Sequence, residues 1–502
     1  MEIELKLLIP AAALEALCAD PLLASVKARR KQLDNIYFDT PDRALAQARV
    51  GLRLRKDGRR WLQTVKGGGS AQAGLHQREE IEFAVAGKAL QWAPLAATPF
   101  AALLEPVWDQ VVPQFRTLFS RDLRLLRGPS GAVIEVAIDQ GEIIAGSRRE
   151  ALCELELELK SGAVDDLFEL ALELAGRHPL VVDNRSKAER GHALAQNLPP
   201  GEPVKAAEVW LPQGAHPQTV ARRAVENCLA HWQANDAGFL ASCSAGPGYD
   251  SEYLHQLRVA VRRLRVACDP LARLAGWQPA AMAALRGPLR SLGQQLGSAR
   301  DWDVFVEETW PPLREALDDA ALRMALQEAI DLQRDLAHLQ AKAALRGREA
   351  QRVLLQLSRY LAQPGQAASP TGVAVDVDAD ALEDQLDRYD QTLRQSLPGL
   401  HDLKPERQHD LRIVAKKMRY LTEFSASLHP REATEPWLKW LKKAQDGLGV
   451  RNDRATAEAR VGRLAKAIEA RHGKVRHALH AALRGQELPA LDLPPLPAPW
   501  WR

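Results

Sequence analysis

Glu2, Glu4 and Lys6 alternate with Ile3, Leu5 and Leu7 near the head of the chain. Side chains alternate across a strand with period two, so one face of this segment is ionised and the other apolar. The pattern recurs. Arg53 and Arg55 oppose Leu52 and Leu54; Arg78, Glu80 and Glu82 oppose Ile81 and Phe83; Glu135 and Asp139 oppose Ile134, Val136 and Ile138; Glu154, Glu156, Glu158 and Lys160 oppose Leu155, Leu157 and Leu159. Rows of carboxylates offer hard oxygen ligands of the kind Mg²⁺ or Mn²⁺ requires. Rows of Arg and Lys offer charge-assisted contacts to phosphate. Two folds present such faces: an antiparallel sheet with its charged face in water, or a closed barrel whose charges line a tunnel and whose apolar faces lie under helices. Few Ser, Thr, Gln or Asn interrupt these rows, which favours the barrel.

A second constellation lies in the other half. His255, Arg258, Arg262 and Arg265 stand at i, i+3, i+7 and i+10, one stripe of a helix. His409, Arg412, Lys416 and Arg419 repeat that spacing 154 residues later. Leu296-Gly297 and Asp301 recur as Leu448-Gly449 and Asp453, so the offset is nearly constant and indicates an internal duplication. Like charges three and four apart repel, so each stripe is costly unless an anion neutralises it. Asp301, Asp303 and Asp453 are read as helix caps or as carboxylates orienting those arginines.

These elements sit in a 502-residue chain, long enough for two or three domains. Strand signals dominate residues 1–160, with helices expected at Pro10–Asp20 and Ala163–Arg177. Lys66-Gly67-Gly68-Gly69-Ser70 reads as a hairpin turn, since no Lys-Ser/Thr follows to make a phosphate loop. Pro199, Pro200, Pro203, Pro212 and Pro217 mark a linker, beyond which the hydrophobic period changes from two to 3.6. The expected fold class is α+β. An N-terminal antiparallel β-barrel tunnel with flanking helices spans 1–198, followed by a linker at 199–217. An all-α duplicated helical bundle spans 218–484, split near 362–378, and a Pro-rich tail over 485–502 packs loosely or docks on the body.

Lys+Arg 67 against Asp+Glu 64 gives a net charge of only +3, which excludes a bulk field for nucleic acid. Five scattered cysteines without a CxxC suit a reducing compartment and argue against structural zinc. The chain opens on a charged strand, without a signal-peptide pattern, and no apolar run approaches the ~20 residues of a membrane span. A cytoplasmic protein is expected, and no membrane partner.

The ordered N-terminal motifs resemble the CYTH superfamily, the triphosphate tunnel metalloenzymes. They are Glu2-x-Glu4-x-Lys6, Asn35-Ile-Tyr-Phe-Asp-Thr-Pro41, Gly51-Leu-Arg-Leu-Arg55, Gln63-Thr-Val-Lys66, Arg78-Glu-Glu80, Glu135-Val-Ala-Ile-Asp139, Glu154-Leu-Glu-Leu-Glu158 and Ser186-Lys-Ala-Glu-Arg-Gly191. One segment departs: where the family has Thr-x-x-x-Arg, this chain reads Ser120-Arg-Asp-Leu-Arg124. Arg124 is aligned with the family arginine, with Arg121 as the alternative. The resemblance implies metal-dependent triphosphate cleavage. Lys6, Arg53, Arg55, Lys66, Arg78, Arg124 and Lys187 would hold the substrate, and Glu2, Glu4, Asp139, Glu154 and Glu156, with Glu80 nearby, would hold Mg²⁺ or Mn²⁺. Glu2, Glu4 and Lys6 form the expected catalytic strand.

The helical repeats resemble the CHAD domain, which implies inorganic polyphosphate binding by the two basic stripes and association with polyphosphate granules. The expected reaction is hydrolysis of inorganic tripolyphosphate to pyrophosphate and phosphate. The alternatives are a non-catalytic polyphosphate-binding protein, a thiamine triphosphatase and a class IV adenylate cyclase. Metal preference and oligomeric state stay open.

Overall fold

The computed structural model describes residues 2–199, 201–243, 249–271, 279–363, 381–468 and 491–502. Two compact units emerge: residues 1–201 with 346–364, and residues 202–345 with 365–502.

The first unit is built on strands β1 (Glu2–Leu8), β2 (Arg29–Asp39), β3 (Gly51–Asp57), β4 (Arg60–Gln72), β5 (Leu75–Val85), β6 (Val112–Arg127), β7 (Val133–Ala145) and β8 (Arg148–Ser161). Their order is β5-β4-β3-β2-β6-β7-β8-β1, and β1 also pairs with β5, so eight antiparallel strands close into a barrel. A two-residue strand β9 (Val181–Val182) adds to β1.

Closure turns the alternation inside out. Leu52, Leu54 and Val65 point outward into an apolar layer with Leu45, Leu95 and Phe100. The charged rows therefore point inward, where water is limited and their partners are one another. Helix α1 (Val164–Arg177) buries Leu167, Phe168, Ala171 and Leu174 along one stripe, with Asp165 and Asp166 in its first turn and Arg177 in its last, as the helix dipole favours. Helix α2 (Lys187–Gln196) begins with a capping box in which Ser186 and Glu189 satisfy each other's backbone N–H. It lies so close to β6 that a Cβ on Gly191 would stand 2.0 Å from the Phe115 ring.

Three local expectations change. The Gly67–Gly69 run is a bulge inside β4, and the chain reverses at Ala73–Gly74 instead. Gly69 adopts φ 75°, and a Cβ there would meet Gln77 O at 1.8 Å. The helix expected over Pro10–Asp20 forms as a 3₁₀ turn at Ala11–Ala13 and a short helix at Leu14–Cys18.

The rest of the chain forms α3 (Pro217–Ser242), α4 (Ser251–Val266), α5 (Pro279–Val304), α6 (Ala320–Arg346), α7 (Arg348–Ala362), α8 (Ala381–Ser396), α9 (Pro405–Ser425) and α10 (Arg431–Ile468), all but α7 in the second unit. Helix α7, read from sequence as part of the helical domain, groups with the barrel. Arg359 makes a bidentate pair with Asp165 of α1, and Gln351 Oε1 accepts the Val182 N–H of β9 at 2.8 Å. Helix α4 packs on α3 and α5, and α9 packs on α10. The paired motif helices are thus α4–α5 and α9–α10, in keeping with the duplication.

The two Leu-Gly…Asp motifs lie inside α5 and α10. The Arg258 guanidinium lies over Gly297 and that of Arg412 over Gly449, at 3.7 and 3.5 Å from where a Cβ would stand. Any side chain longer than a methyl would push the arginines away. The split expected near 362–378 falls largely outside the described residues, as does the start of the tail. The described tail, 491–502, is docked: Trp437 Nε1 donates to Ala498 O at 2.7 Å and Trp440 Nε1 to Pro494 O at 2.8 Å.

Candidate active site and anion cavity

The barrel encloses a cavity of about 500 Å³ lined by Glu2, Glu4, Lys6, Arg53, Arg55, Lys66, Arg78, Glu80, Arg121, Glu156 and Lys187. Register sets these side by side. Lys6 faces Glu156 across β1–β8, Asp139 faces Glu154 across β7–β8, and Arg121 faces Asp139 across β6–β7. Lys6 Nζ lies 3.1 Å from Glu156 and 3.6 Å from both Glu154 and Glu4. Lys66 contacts Glu2 and stands 3.6 Å from Glu4 and 3.5 Å from Glu80; Arg53 holds Glu80 at 2.9 Å. Lys187, the first residue of capped α2, reaches Asp139 and Glu156 at 2.7 Å and also contacts Glu154. Arg78 lies 3.7 Å from Glu189.

Burial shifts these groups strongly. It raises the Glu2 carboxyl to about 7 against the pull of Lys66, aided by Glu4 and Glu80. Burial opposes charge on Lys6 as well, yet Glu154, Glu156 and Glu4 outweigh it and hold the ammonium well above its usual range. Glu80 is also buried, yet Arg53 and Lys66 hold it near 2. Burial, then the cations Lys6 and Arg78, lower His76 to about 3, so this ring stays neutral. Arg55 stands apart. Burial and the neighbouring Arg53 and Arg121 pull it down to about 10. Its Nε donates to Asn35 Oδ1 at 2.9 Å, and no carboxylate lies within ion-pair distance of it among the described residues. Asn35 is held in turn by Thr117 Oγ1 at 3.0 Å.

The alignment of Arg124 with the site is overturned. Residues 121 and 124 face opposite sides of β6: Arg121 enters the cavity and chelates Asp139 through both nitrogens at 2.7 Å, while Arg124 is buried on the outer side near Cys18 and Asp122. Among the described residues one group of acidic ligands has the spacing for a metal ion: Asp139, Glu154 and Glu156, whose oxygens lie within 4.8 Å of one another. Two buried carboxylates, Asp139 and Glu154, and the half-buried Glu156 supply the hard donor set that Mg²⁺ or Mn²⁺ accepts. Glu2 and Glu4 lie outside that group, against Lys66 and Lys6.

The sequence signalled Asp39 only as a motif letter. Its carboxylate accepts the N–H groups of Thr40, Leu45 and Ala46 at 2.7, 2.9 and 3.0 Å, which ties the β2–β3 connection to the barrel.

In the helical unit, a cavity of about 940 Å³ brings both stripes together: His255 and Arg262 from α4, and Arg412, Lys416 and Arg419 from α9. Burial lowers Arg262, and Arg258, Arg412 and Arg419 push it the same way. It makes no ion pair among the described residues, and its Nε has no hydrogen-bond partner there. Burial similarly lowers His255 to about 4, with Arg300, Arg262 and Arg258 adding to it. Three stripe members are not in the cavity lining. Arg258 pairs with Asp301 at 2.9 Å, while Arg265 and His409 are exposed elsewhere. Asp301 therefore orients an arginine, while Asp303 is buried and holds Arg334 at 2.8 Å and His338 at 2.9 Å; both lie within α5, so neither is a cap. The Asp453 side chain lies outside the described residues. Arg263, one residue off the stripe, also lines this cavity, paired with Glu423 and stacked on Phe424 at 4.8 Å.

The CYTH domain profile matches residues 1–192, and the CHAD domain profile matches residues 223–462. The chain is a CYTH domain followed by a CHAD domain. The CYTH part is 36% identical over 169 residues to an inorganic triphosphatase from Haemophilus influenzae. That match covers 32% of this chain and 46% of the relative, so the chain spans about half the length of the curated protein it resembles. Among solved structures, the CHAD domain from Ricinus communis is 26% identical with a TM-score of 0.43, covering 58% of this chain and 99% of its own. A candidate adenylyl cyclase from Hippeastrum, described as having a dominant triphosphatase activity, is 22% identical with a TM-score of 0.29 and covers 38% of this chain and 96% of its own.

Proposed function

We propose that the CYTH barrel hydrolyses inorganic tripolyphosphate to pyrophosphate and phosphate with Mg²⁺ or Mn²⁺. The observation that carries this reading is a barrel cavity lined by cations, of which Lys6, Arg121 and Lys187 contact the metal-sized acidic group, while Arg55 makes no ion pair among the described residues. A triphosphate carries about four negative charges near neutrality. On entry it would draw Arg53, Lys66, Arg121 and Lys187 onto its oxygens, with Arg55 the cation most in need of an anion. Each cation that turns to phosphate releases a carboxylate, and a turn of Arg121 and Lys187 would loosen their hold on Asp139, Glu154 and Glu156, the residues that would hold a metal. When bound there, such an ion would neutralise phosphate charge and polarise the phosphoryl oxygens. Glu2, kept near 7 by burial, can hold or release a proton at its carboxyl at working pH. The barrel wall limits the water around these groups, which strengthens their interactions. The name of the Haemophilus relative supports a triphosphatase, and no base-reading device is evident among the lining residues.

The helical unit is proposed to bind inorganic polyphosphate without cleaving it. Support comes from the four stripe cations of its cavity, Arg262, Arg412, Lys416 and Arg419, among them an Arg262 with no carboxylate counter-ion among the described residues. The test is phosphate release from tripolyphosphate, ATP and thiamine triphosphate, measured side by side with Mg²⁺ and with Mn²⁺. Tripolyphosphate is expected to turn over far faster than the other two. Comparable ATP turnover, or cyclic AMP as product, would overturn the assignment in favour of the cyclase reading.

A further inference from the structure

Helix α6 carries two apolar faces. Leu326, Ile330, Ala337, Ala341 and Leu345 are buried against the helical unit. Around the helix, Leu332, Leu336 and Leu339 stand 57, 44 and 56% exposed. With Ala325, Ala329 and Ala343 they follow spacings of 4, 3, 4, 3 and 4, the alternation of a coiled-coil seam, sustained over about 27 Å of helix. An ordinary surface helix scatters exposed leucines singly; three on one seam between alanines form a continuous ridge.

We infer that this seam pairs antiparallel with the same seam of a second copy of the chain. The apolar ridge matches itself in either direction, and the flanking charges choose the antiparallel one. With the two-fold axis beside Leu336, Leu336 meets its own copy, Leu332 meets Leu339, and Ala329 meets Ala343, so large layers stack at the centre and small ones at the ends. The flanking charges agree: Glu328 of one copy falls beside Lys342 of the other, twice per dimer. In the parallel arrangement Glu328 would meet Gln333, with no charge pairing. Asp335 nears its copy at the axis, but each is engaged by its own Tyr249 hydroxyl at 2.7 Å. A single helix pair is a small interface, so the association is micromolar and concentration-dependent.

Sedimentation velocity of the full chain from about 1 to 100 μM tests this. Wild type should shift from monomer to dimer across that range. The variant Leu332→Glu/Leu336→Glu/Leu339→Glu should remain monomeric with an unchanged far-UV spectrum, since none of the three side chains is buried. Glu328→Lys should weaken dimerisation about tenfold, and adding Lys342→Glu to the same chain should restore it. A wild-type monomer at every concentration, or a triple variant that dimerises as wild type does, overturns the seam. Failure of the double charge swap to restore the dimer overturns the antiparallel pairing.

Discussion

The barrel and the helical cavity both gather arginine and lysine in buried space, but they balance that charge differently. In the barrel nearly every cation has a carboxylate within reach: Lys6 has Glu4, Glu154 and Glu156, and Arg121 has Asp139 and Glu156. In the helical cavity Arg262 has other cations around it, and Glu423 neutralises Arg263 and Arg419. A wall of mixed sign can exchange partners, giving its cations to phosphate and its carboxylates to a metal. A wall of mostly one sign can attract a polyanion but offers little to hold an ion for chemistry. On the proposed reading, local charge balance, not net charge, is what would separate a reaction site from a binding site.

The largest effect that could break this contrast comes from the acidic group. Glu154→Gln/Glu156→Gln should lower tripolyphosphate turnover by about 10³-fold or more while the circular dichroism spectrum stays that of wild type. Chelation with EDTA should have an equal effect on wild type. Arg121→Gln should lower turnover about 10²-fold, whereas Arg124→Leu should leave it within about twofold, because Arg124 faces away from the cavity. Equal losses from both would restore the original alignment.

In the helical cavity, Arg262→Gln/Arg412→Gln/Lys416→Gln should weaken polyphosphate binding and flatten its log–log salt dependence by about 0.7 per lost phosphate contact, by analogy with single-stranded nucleic acid. Filter binding across a salt series reads both. Arg258→Gln alone should matter less, since Asp301 already neutralises it.

The smallest effect is a pH dependence. The folded pKa of His255 lies near 4, below its usual 6.5, so its contribution to stability is present above about 6.5 and lost as pH falls through about 4. His255→Gln should remove that contribution. The difference in melting temperature between wild type and variant should therefore shrink between pH 7 and pH 4, while polyphosphate binding by wild type strengthens as the ring gains its proton.

The barrel was legible because the strand rows are amphipathic, and a charge-rich face repeated on β1, β3, β5, β7 and β8 has few stable homes. Strand β6 was less legible. Leu118, Leu123, Leu125 and Leu126 place apolar residues on both of its faces, so the alternation gave no parity and motif spacing chose Arg124; only pairing with Asp139 selects Arg121. The division of the acids was equally hidden, since Glu2 and Glu4 sit on the same wall as the metal-sized group but one strand away. In the helical half the stripe spacing found Arg262, Arg412, Lys416 and Arg419. It missed Arg263, whose planar guanidinium lies over the Phe424 ring while its N–H groups meet Glu423. Helix α7 could not be assigned from its own residues, because a buried stripe does not say which core it fills.

The central claim is that chemistry resides in the mixed-charge barrel and polyanion binding in the cationic cavity. Phosphate release from tripolyphosphate with Mg²⁺, measured for wild type, Glu154→Gln/Glu156→Gln and Arg262→Gln/Arg412→Gln/Lys416→Gln as full chains, tests it most directly. The account predicts rapid release by wild type and by the cavity variant, and near-background release by the barrel variant. A well-folded barrel variant that keeps wild-type turnover, or a cavity variant that loses it, would contradict the account.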